Sequence, residues 1–251
     1  MRTKFNDKKR IGKVLFLVEG DVDETNIVKH VFYDVLGYSV SIYDKRSNNV
    51  TTYKSEKDKF SMVYVVPMEF PAIKKILTSE DYIDAIYYKL KERGLRTDNC
   101  FTYFLFDRDR ESNKYGDVKE ALLRLKNSQD NEENISGMLL LSYPCSQAYI
   151  CNCYKDFCYI PNAKELKEYS HKYPLSKIRL DNVKDGSLVM ADIIKSMTGL
   201  EISETDLFDI SNININVLKS ETNLYRDKNT FKVLSLFSIC LLDLGILEIV
   251  D

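Results

Sequence analysis

The sequence predicts an α/β fold, and three observations carry that prediction. Several short apolar runs lack the in-out alternation of half-buried strands, each ends in a polar turn, and each is followed by residues at helical spacing. Unalternated runs of this length suit strands covered on both faces, as in a parallel sheet. Alternation of such strands with helices is the pattern of an α/β sheet that is mostly parallel and flanked by helices.

The first run, Lys13 to Val18, ends abruptly at Glu19-Gly20. Ile27, Val28, Val31, Phe32, Val35 and Leu36 then repeat on one helical stripe and stop at Gly37, a plausible cap. Ser61 to Val66 is the second strand, and Ala72 to Arg93 reads as a helix stopped by Gly94. Cys100 to Phe106 is the third strand and runs straight into Asp107-Arg-Asp-Arg-Glu111, after which Val118 to Leu125 reads as a helix. Met138 to Ser142 is the fourth strand, and a helix opens in Gln147 to Phe157 after Pro144. The polar segment Asn127 to Asn134 reads as an exposed loop.

Residues 1–160 are therefore expected to form the sheet domain. Residues 161–251 are expected to be a mostly helical C-terminal region, appended to it or part of the same globule. Its helical signals are Ala163 to Tyr169, Ser187 to Met197, and the apolar run from Phe231 to Leu247, which reads as a buried helix.

Composition bounds the function. The chain has 251 residues, with 36 Lys and Arg against 38 Asp and Glu, a net charge of −2. That balance excludes a surface that binds polyanions all over, because such affinity needs many cations replacing counterions. It leaves room for a local basic face, and the first thirteen residues carry Arg2, Lys4, Lys8, Lys9, Arg10 and Lys13, which read as a basic arm. The same segment has no apolar core, so no secretory signal is expected and the location expected is cytoplasmic. No run approaches the ~20 apolar residues of a membrane span, so no membrane association is expected. The six cysteines are expected to stay reduced.

In an open parallel sheet, ligands bind beyond the carboxyl ends of the strands. Glu19 ends the first strand and Asp107 the third, with Asp23 and Asp109 close behind. Carboxylates gathered at one edge repel one another unless a cation lies among them. An all-oxygen set selects hard ions such as Mg²⁺ or Mn²⁺, and phosphate chemistry is the usual reason to hold them. The bland alternative is that Glu19 and Asp23 merely start a helix, and that Asp107 and Asp109 pair with Arg108 and Arg110.

Val18-Glu19-Gly20 at one strand end and Asp107-x-Asp109 at another together resemble the Toprim domain of topoisomerases, bacterial primases and OLD-family nucleases. Glu19-Gly20-x-x-Asp23 is most similar to the nuclease branch. Leu141-Ser-Tyr-Pro144-Cys-Ser-Gln-Ala-Tyr149 resembles a segment of stand-alone OLD and RloB-like proteins, many of them tied to phage defence. Gln147 departs from that pattern, since an acid often stands there.

The resemblance implies a Toprim-like sheet and a Mg²⁺-dependent endonuclease acting on DNA or RNA. Glu19, Asp107 and Asp109 would be its catalytic acids and would hold one ion, with Glu19 also serving as general acid or base. Asp23 and Glu111 would help to hold a second ion, and Arg108, Arg110 and Lys114 would contact phosphates. It also implies a separate ABC- or AAA-type ATPase partner, with self-association as a further option.

Two rivals stand beside it. One is a catalytically inactive Toprim-like binding or regulatory module working with such an ATPase. The other is a receiver-like phosphoacceptor with Asp107 as acceptor, which Glu19-Gly20 matches badly. Cys145, Cys151, Cys153 and Cys158 lack the paired knuckle spacing of structural zinc, so small buried cysteines are expected. His30 and His171 cannot be placed beside a cysteine from sequence.

Overall fold

The computed structural model describes residues 1–20, 22–44, 50–68, 72–78, 82–92, 94, 99–108, 110, 113–129, 137–202 and 210–250. It is a mixed α/β protein built on a seven-stranded sheet. In chain order the elements are β1 (Arg2–Phe5), β2 (Lys13–Val18), α1 (Asp23–Lys29), β3 (Tyr38–Asp44), β4 (Val50–Ser55), β5 (Met62–Pro67), α2 (Ala72–Thr78), α3 (Tyr82–Glu92), β6 (Cys100–Asp107), α4 (Tyr115–Arg124) and β7 (Met138–Tyr143). They continue with α5 (Gln147–Cys153), β8 (Tyr159–Ile160), α6 (Ala163–Ser170), α7 (Leu180–Thr198), α8 (Ile210–Lys228), β9 (Phe231–Lys232), β10 (Leu234–Ser235), α9 (Ser238–Asp243) and β11 (Leu247–Val250). The sheet order is β10-β7-β6-β2-β5-β4-β3, parallel at its centre where β2 lies between β5 and β6.

The centre follows from the sequence. Val14 to Val18 in β2 are 0% exposed, as expected of an apolar run flanked by strands and covered on both faces. Phe16 stacks on Tyr103 of β6 and meets Phe32 at a tilt, so the run packs by shape as well as by hydrophobicity.

Where the structure departs from the sequence reading, the reason is local. β3 and β4 form an antiparallel pair, interrupted by an irregularity between Val40 and Ile42, at a sheet edge. Their Ser-, Thr- and Tyr-rich sequences lack the apolar run that marks the central strands. The single helix expected over 72–93 is two, α2 and α3. The stripe ending at Leu36 is α1 followed by a wider π-helical turn, His30–Val35, and Gly37 closes it at φ +73°, a conformation natural to glycine. Within that turn His30 pairs with Asp34 at 2.9 Å.

The largest correction lies at the chain's end. The apolar run from Phe231 to Leu247, expected to be one buried helix, is β9, β10, the six-residue α9 and the start of β11. Burial on every side gives helix and strand the same apolar signature, so periodicity could not separate them.

The backbone falls into two compact units. One comprises 10–105 and 110–139, and the other 1–9, 106–109 and 140–251.

In the first unit, Gly137 precedes β7 and faces the ring of Phe104 and the Thr102 methyl, leaving no room for a Cβ. Gly137→Ala is expected to cost about 1–3 kcal/mol, as overpacking does, seen as an earlier denaturant midpoint at unchanged slope.

In the second unit, β10 pairs antiparallel with β7, and the Ser142 and Ser235 hydroxyls bond across the pair at 2.9 Å. Asn152 of α5 acts as a spare strand: its Nδ2 donates to the Val233 carbonyl and its Oδ1 accepts from the Ser235 N–H. The expected basic arm is β1, paired antiparallel with β11 from Arg2 opposite Val250 to Phe5 opposite Leu247. Thr3 hydroxyl donates to the Lys184 carbonyl of α7, which anchors this ribbon.

Candidate functional site at the strand ends

β2 delivers Glu19 by register. Val18 lies opposite Leu105 of β6, and the Glu19 N–H donates to the Leu105 carbonyl at 3.2 Å. Two residues further along, β6 ends in Asp107. Glu19 thus stands at the carboxyl end of β2 and Asp107 at that of β6, each in its own unit and each at the kind of position where an open sheet binds its ligands. Both side chains are half-buried.

The turn after β2 contributes an acid that the sequence analysis passed over. α1 begins at Asp23, and its first turn carries Asp23 and Glu24, favourable charges for a helix start. Asp23 is half-buried, whereas Glu24 is only 6% exposed. Glu24 folds back over Gly20, and a Cβ on that glycine would stand 2.6 Å from Glu24 Oε2. Among the described residues, no hydrogen bond or ion pair engages Glu24. A buried carboxylate is costly unless a cation or hydrogen-bond donors compensate it. The signal was present in the sequence as Glu24 itself and the absence of a side chain at Gly20, but only the turn's geometry brings the two together.

Asp109 and Glu111 lie outside the described residues. Among the described residues, no three His, Cys, Asp or Glu side chains gather at metal-binding geometry. Glu19, Asp23 and Glu24 lie in the first unit and Asp107 in the second; carboxylates as a class suit a hard divalent cation.

The three cations expected to meet phosphate differ in placement. Arg110 and Lys114 are exposed, while Arg108 is 2% exposed and its N–H donates to the Ser142 carbonyl. Arg108 belongs to an interior polar group in the unit formed by residues 1–9, 106–109 and 140–251. Glu221 of α8, 1% exposed, accepts the Lys232 N–H through Oε2 at 3.2 Å, and its Oε1 meets no donor. Burial pushes the Glu221 carboxyl up to about 8, against that N–H and the charges of Lys232 and Arg108. The Tyr143 phenol, wholly buried, is pushed far above its ordinary range by burial and then by the Glu221 charge.

Gln147 opens α5 and accepts a hydrogen bond from the Cys145 thiol at 3.0 Å. Cys145, Cys151 and Cys153 are fully buried, in line with the expectation of core cysteines, and Cys158 is half-buried. His171 follows α6 and is exposed.

No family model, no curated protein and no solved structure matches this chain. No helix among the described residues is long and apolar enough to cross a membrane.

Proposed function

We propose that the chain is a divalent-cation-dependent phosphodiester hydrolase, an endonuclease of DNA or RNA whose chemistry uses the carboxylates that end its apolar strands. The observation that carries this reading is the pair of acids at the end of β2: Glu19 closes the strand, and Glu24 folds against the Gly20 turn that immediately follows it. Carboxylates gathered at a strand end repel one another, and a divalent cation is the compensation that an all-carboxylate set selects.

In this reading the strand-end acids Glu19, Asp23, Asp107, Asp109 and Glu111 would supply the oxygens for Mg²⁺ or Mn²⁺, with Glu24 lying beside the Gly20 turn. Bound ions would supply an activated water and stabilise the leaving oxygen. The chain's own part is to fix these oxygens on strand ends, so that little reorganisation is needed when charge develops. Arg110 and Lys114, both exposed, meet the nucleic-acid phosphates, while Arg108 adds its charge from the interior. The Toprim resemblance extends the proposal to anti-phage defence with a separate ATPase partner.

The test is incubation of the purified chain with plasmid, linear DNA and total transfer RNA in Mg²⁺, Mn²⁺ or EDTA. Cleavage of at least one substrate is expected with either metal and none with EDTA. Cleavage insensitive to EDTA, or none in any arm, would overturn the assignment.

One observation favours an inactive binding module instead: Gln147, where related nucleases often carry an acid, is tied to Cys145. Calorimetric titration with Mg²⁺ separates the two, because a module without chemistry has no need to hold the ion. Gly20→Ala sharpens the same measurement. The new methyl displaces the flexible end of Glu24, so Mg²⁺ affinity is expected to fall roughly 10- to 100-fold, as on losing a supporting group, with little change in melting temperature.

A further inference from the structure

Two large aromatic rings of the second unit stand in water next to each other. Phe157 and Tyr159 are 48% and 56% exposed, while Cys158 between them is half-buried and Ile160 beyond them is buried. That alternation puts both rings on one side of the segment that enters β8, about 7 Å apart along the chain. β9 holds the segment from behind: Tyr159 lies opposite Lys232, Ile160 lies opposite Phe231, and the Val233 N–H donates to the Cys158 carbonyl at 3.0 Å. Lys232 Nζ donates to the Phe157 carbonyl at 3.3 Å and lies 5.4 Å from the Phe157 ring centroid and 4.3 Å from that of Tyr159. Lys232 is only 8% exposed, so it acts as a fixed strut beside both rings rather than as a surface charge. Exposed apolar side chains are ordinary one at a time, but neighbours held in fixed geometry mark an interaction surface.

The other aromatic side chains of this region are already engaged. The Tyr169 and Tyr173 hydroxyls both donate to Asp156 Oδ2, at 2.7 and 2.6 Å, and Tyr173 stacks on Tyr154 with centroids 4.7 Å apart. Lys172 Nζ lies 3.5 Å from the same Asp156 oxygen and 3.6 Å from the Tyr169 ring centroid. This lock fixes Asp156, the residue before Phe157, and leaves Phe157 and Tyr159 as the rings offered outward. Charge points to what covers them. Residues 154–179 carry six Lys and Arg against three Asp and Glu, in a chain whose net charge is −2. Lys155 pairs with Asp185 and Lys172 with Asp156, while Lys164 and Lys167 of α6 are exposed. α6 follows β8 directly and packs through Leu166 on the apolar cluster that contains Ile160 of β8, so the basic helix and the aromatic segment share one support. Open rings favour another flat π-face, and a surplus of cations favours phosphate. Single-stranded nucleic acid presents both together, whereas a duplex hides its base faces in the stack.

We propose that Phe157 and Tyr159 form a stacking platform for single-stranded nucleic acid, one base on each ring, with Lys164 and Lys167 of α6 meeting the backbone phosphates. The proposal rests on the nuclease reading for its class of partner and narrows that partner to unpaired strands. Every base has a π-face, so binding here depends on strandedness and salt rather than on sequence. Each phosphate met by a lysine releases a counterion and steepens the salt dependence by about 0.7 in the logarithmic slope. The platform is independent of the strand-end carboxylates, and it binds whether or not they hold metal.

The full chain serves for the test, in EDTA so that no metal-dependent cleavage intervenes. Fluorescence anisotropy follows its binding to labelled oligo(dT), oligo(U) and a duplex, each of about 12 nucleotides, within the usual site size of such surfaces. Both single strands are expected to bind roughly tenfold tighter than the duplex or better. Tyr159→Ala and Phe157→Ala are each expected to weaken single-strand binding about 5- to 100-fold, the loss of one stacked base, whereas Tyr159→Phe keeps the ring and the affinity. Lys164→Gln is expected to lower the salt slope by about one contact. On the unsubstituted chain, photocrosslinking to an iodouracil-bearing strand is expected to label the peptide that carries Phe157 and Tyr159, which decides the matter even if a variant does not fold. Equal affinity for the duplex, parent-like binding by Tyr159→Ala, crosslinks confined to other peptides, or no binding to any strand would overturn the proposal, and the last would leave the two rings to a protein partner. Single-strand binding by a chain that cleaves nothing would uphold the platform and sink the hydrolase assignment, while metal-dependent cleavage without single-strand binding would do the reverse.

Discussion

Glu19→Gln is expected to abolish Mg²⁺-dependent cleavage while the protein remains folded, and Asp107→Ala is expected to do the same. The glutamine keeps the shape and one acceptor oxygen of Glu19 and removes only its charge, so a loss of rate reports on charge at that strand end. Removing a single preorganised electrostatic group from a hydrolytic site costs about 10²–10³-fold in rate, and loss of a metal-holding oxygen is expected to reach at least that. Both side chains are half-buried rather than part of the sealed core, so the circular dichroism spectrum and denaturant midpoint should stay close to those of the parent. Cleavage that continues at the parent's rate in either variant would remove these acids from the mechanism. Glu24→Gln should resemble Glu19→Gln if the buried acid shares the ion.

Glu221→Gln should make the protein more stable at neutral and alkaline pH. Burial places the folded-state titration of Glu221 at about 8, against an ordinary value of 4.5. Because the folded value is the higher one, the contribution of this group to stability is fully present below about 4.5 and is lost as pH rises towards 8. At about 1.4 kcal/mol per pH unit of separation, the loss reaches about 5 kcal/mol, on the order of 10 °C in melting temperature for a chain of this size. Glutamine cannot ionise and can still accept the Lys232 N–H, so the variant escapes the loss. Melting temperatures of parent and variant between pH 4 and pH 9 supply the measurement. The variant's advantage should grow with pH and level off above 8, and an advantage independent of pH would show that ionisation of Glu221 is not its source.

The parts of the molecule legible in the sequence are those where one physical demand dominates. β2, β5, β6 and β7 announce themselves because strands covered on both faces must be apolar throughout, and the acids after β2 and β6 are conspicuous for interrupting such runs. β3 is an edge strand and carries no apolar run, while β4 is buried from Val50 to Tyr53 but fills those places with Thr51, Thr52 and Tyr53, which do not read as an apolar run. β10 is two residues long and hides in an apolar stretch that any buried element could use. The positions of Glu19 and Asp107 at the ends of β2 and β6 could be read from the sequence. Glu24 and Glu221 could not, because a glutamate on a helix is ordinarily solvated and nothing in its neighbours announces burial. The fold-back over Gly20 and the enclosure of Glu221 are consequences of tertiary packing.

The ribbon formed by β1 and β11 bears on how the protein is made. A ribosome delivers residues 2–5 long before residues 247–250, so β1 must wait for its partner while the residues between them are made. By contrast, β2, β5 and β6 are all available once residue 107 has emerged, and their parallel pairing can begin while the remainder is still being synthesised. Loop closure across so much chain is entropically late in any case. The ribbon is therefore expected to close after the central strands have paired, and until then β1 and the α7 surface that anchors Thr3 stay open to chaperones.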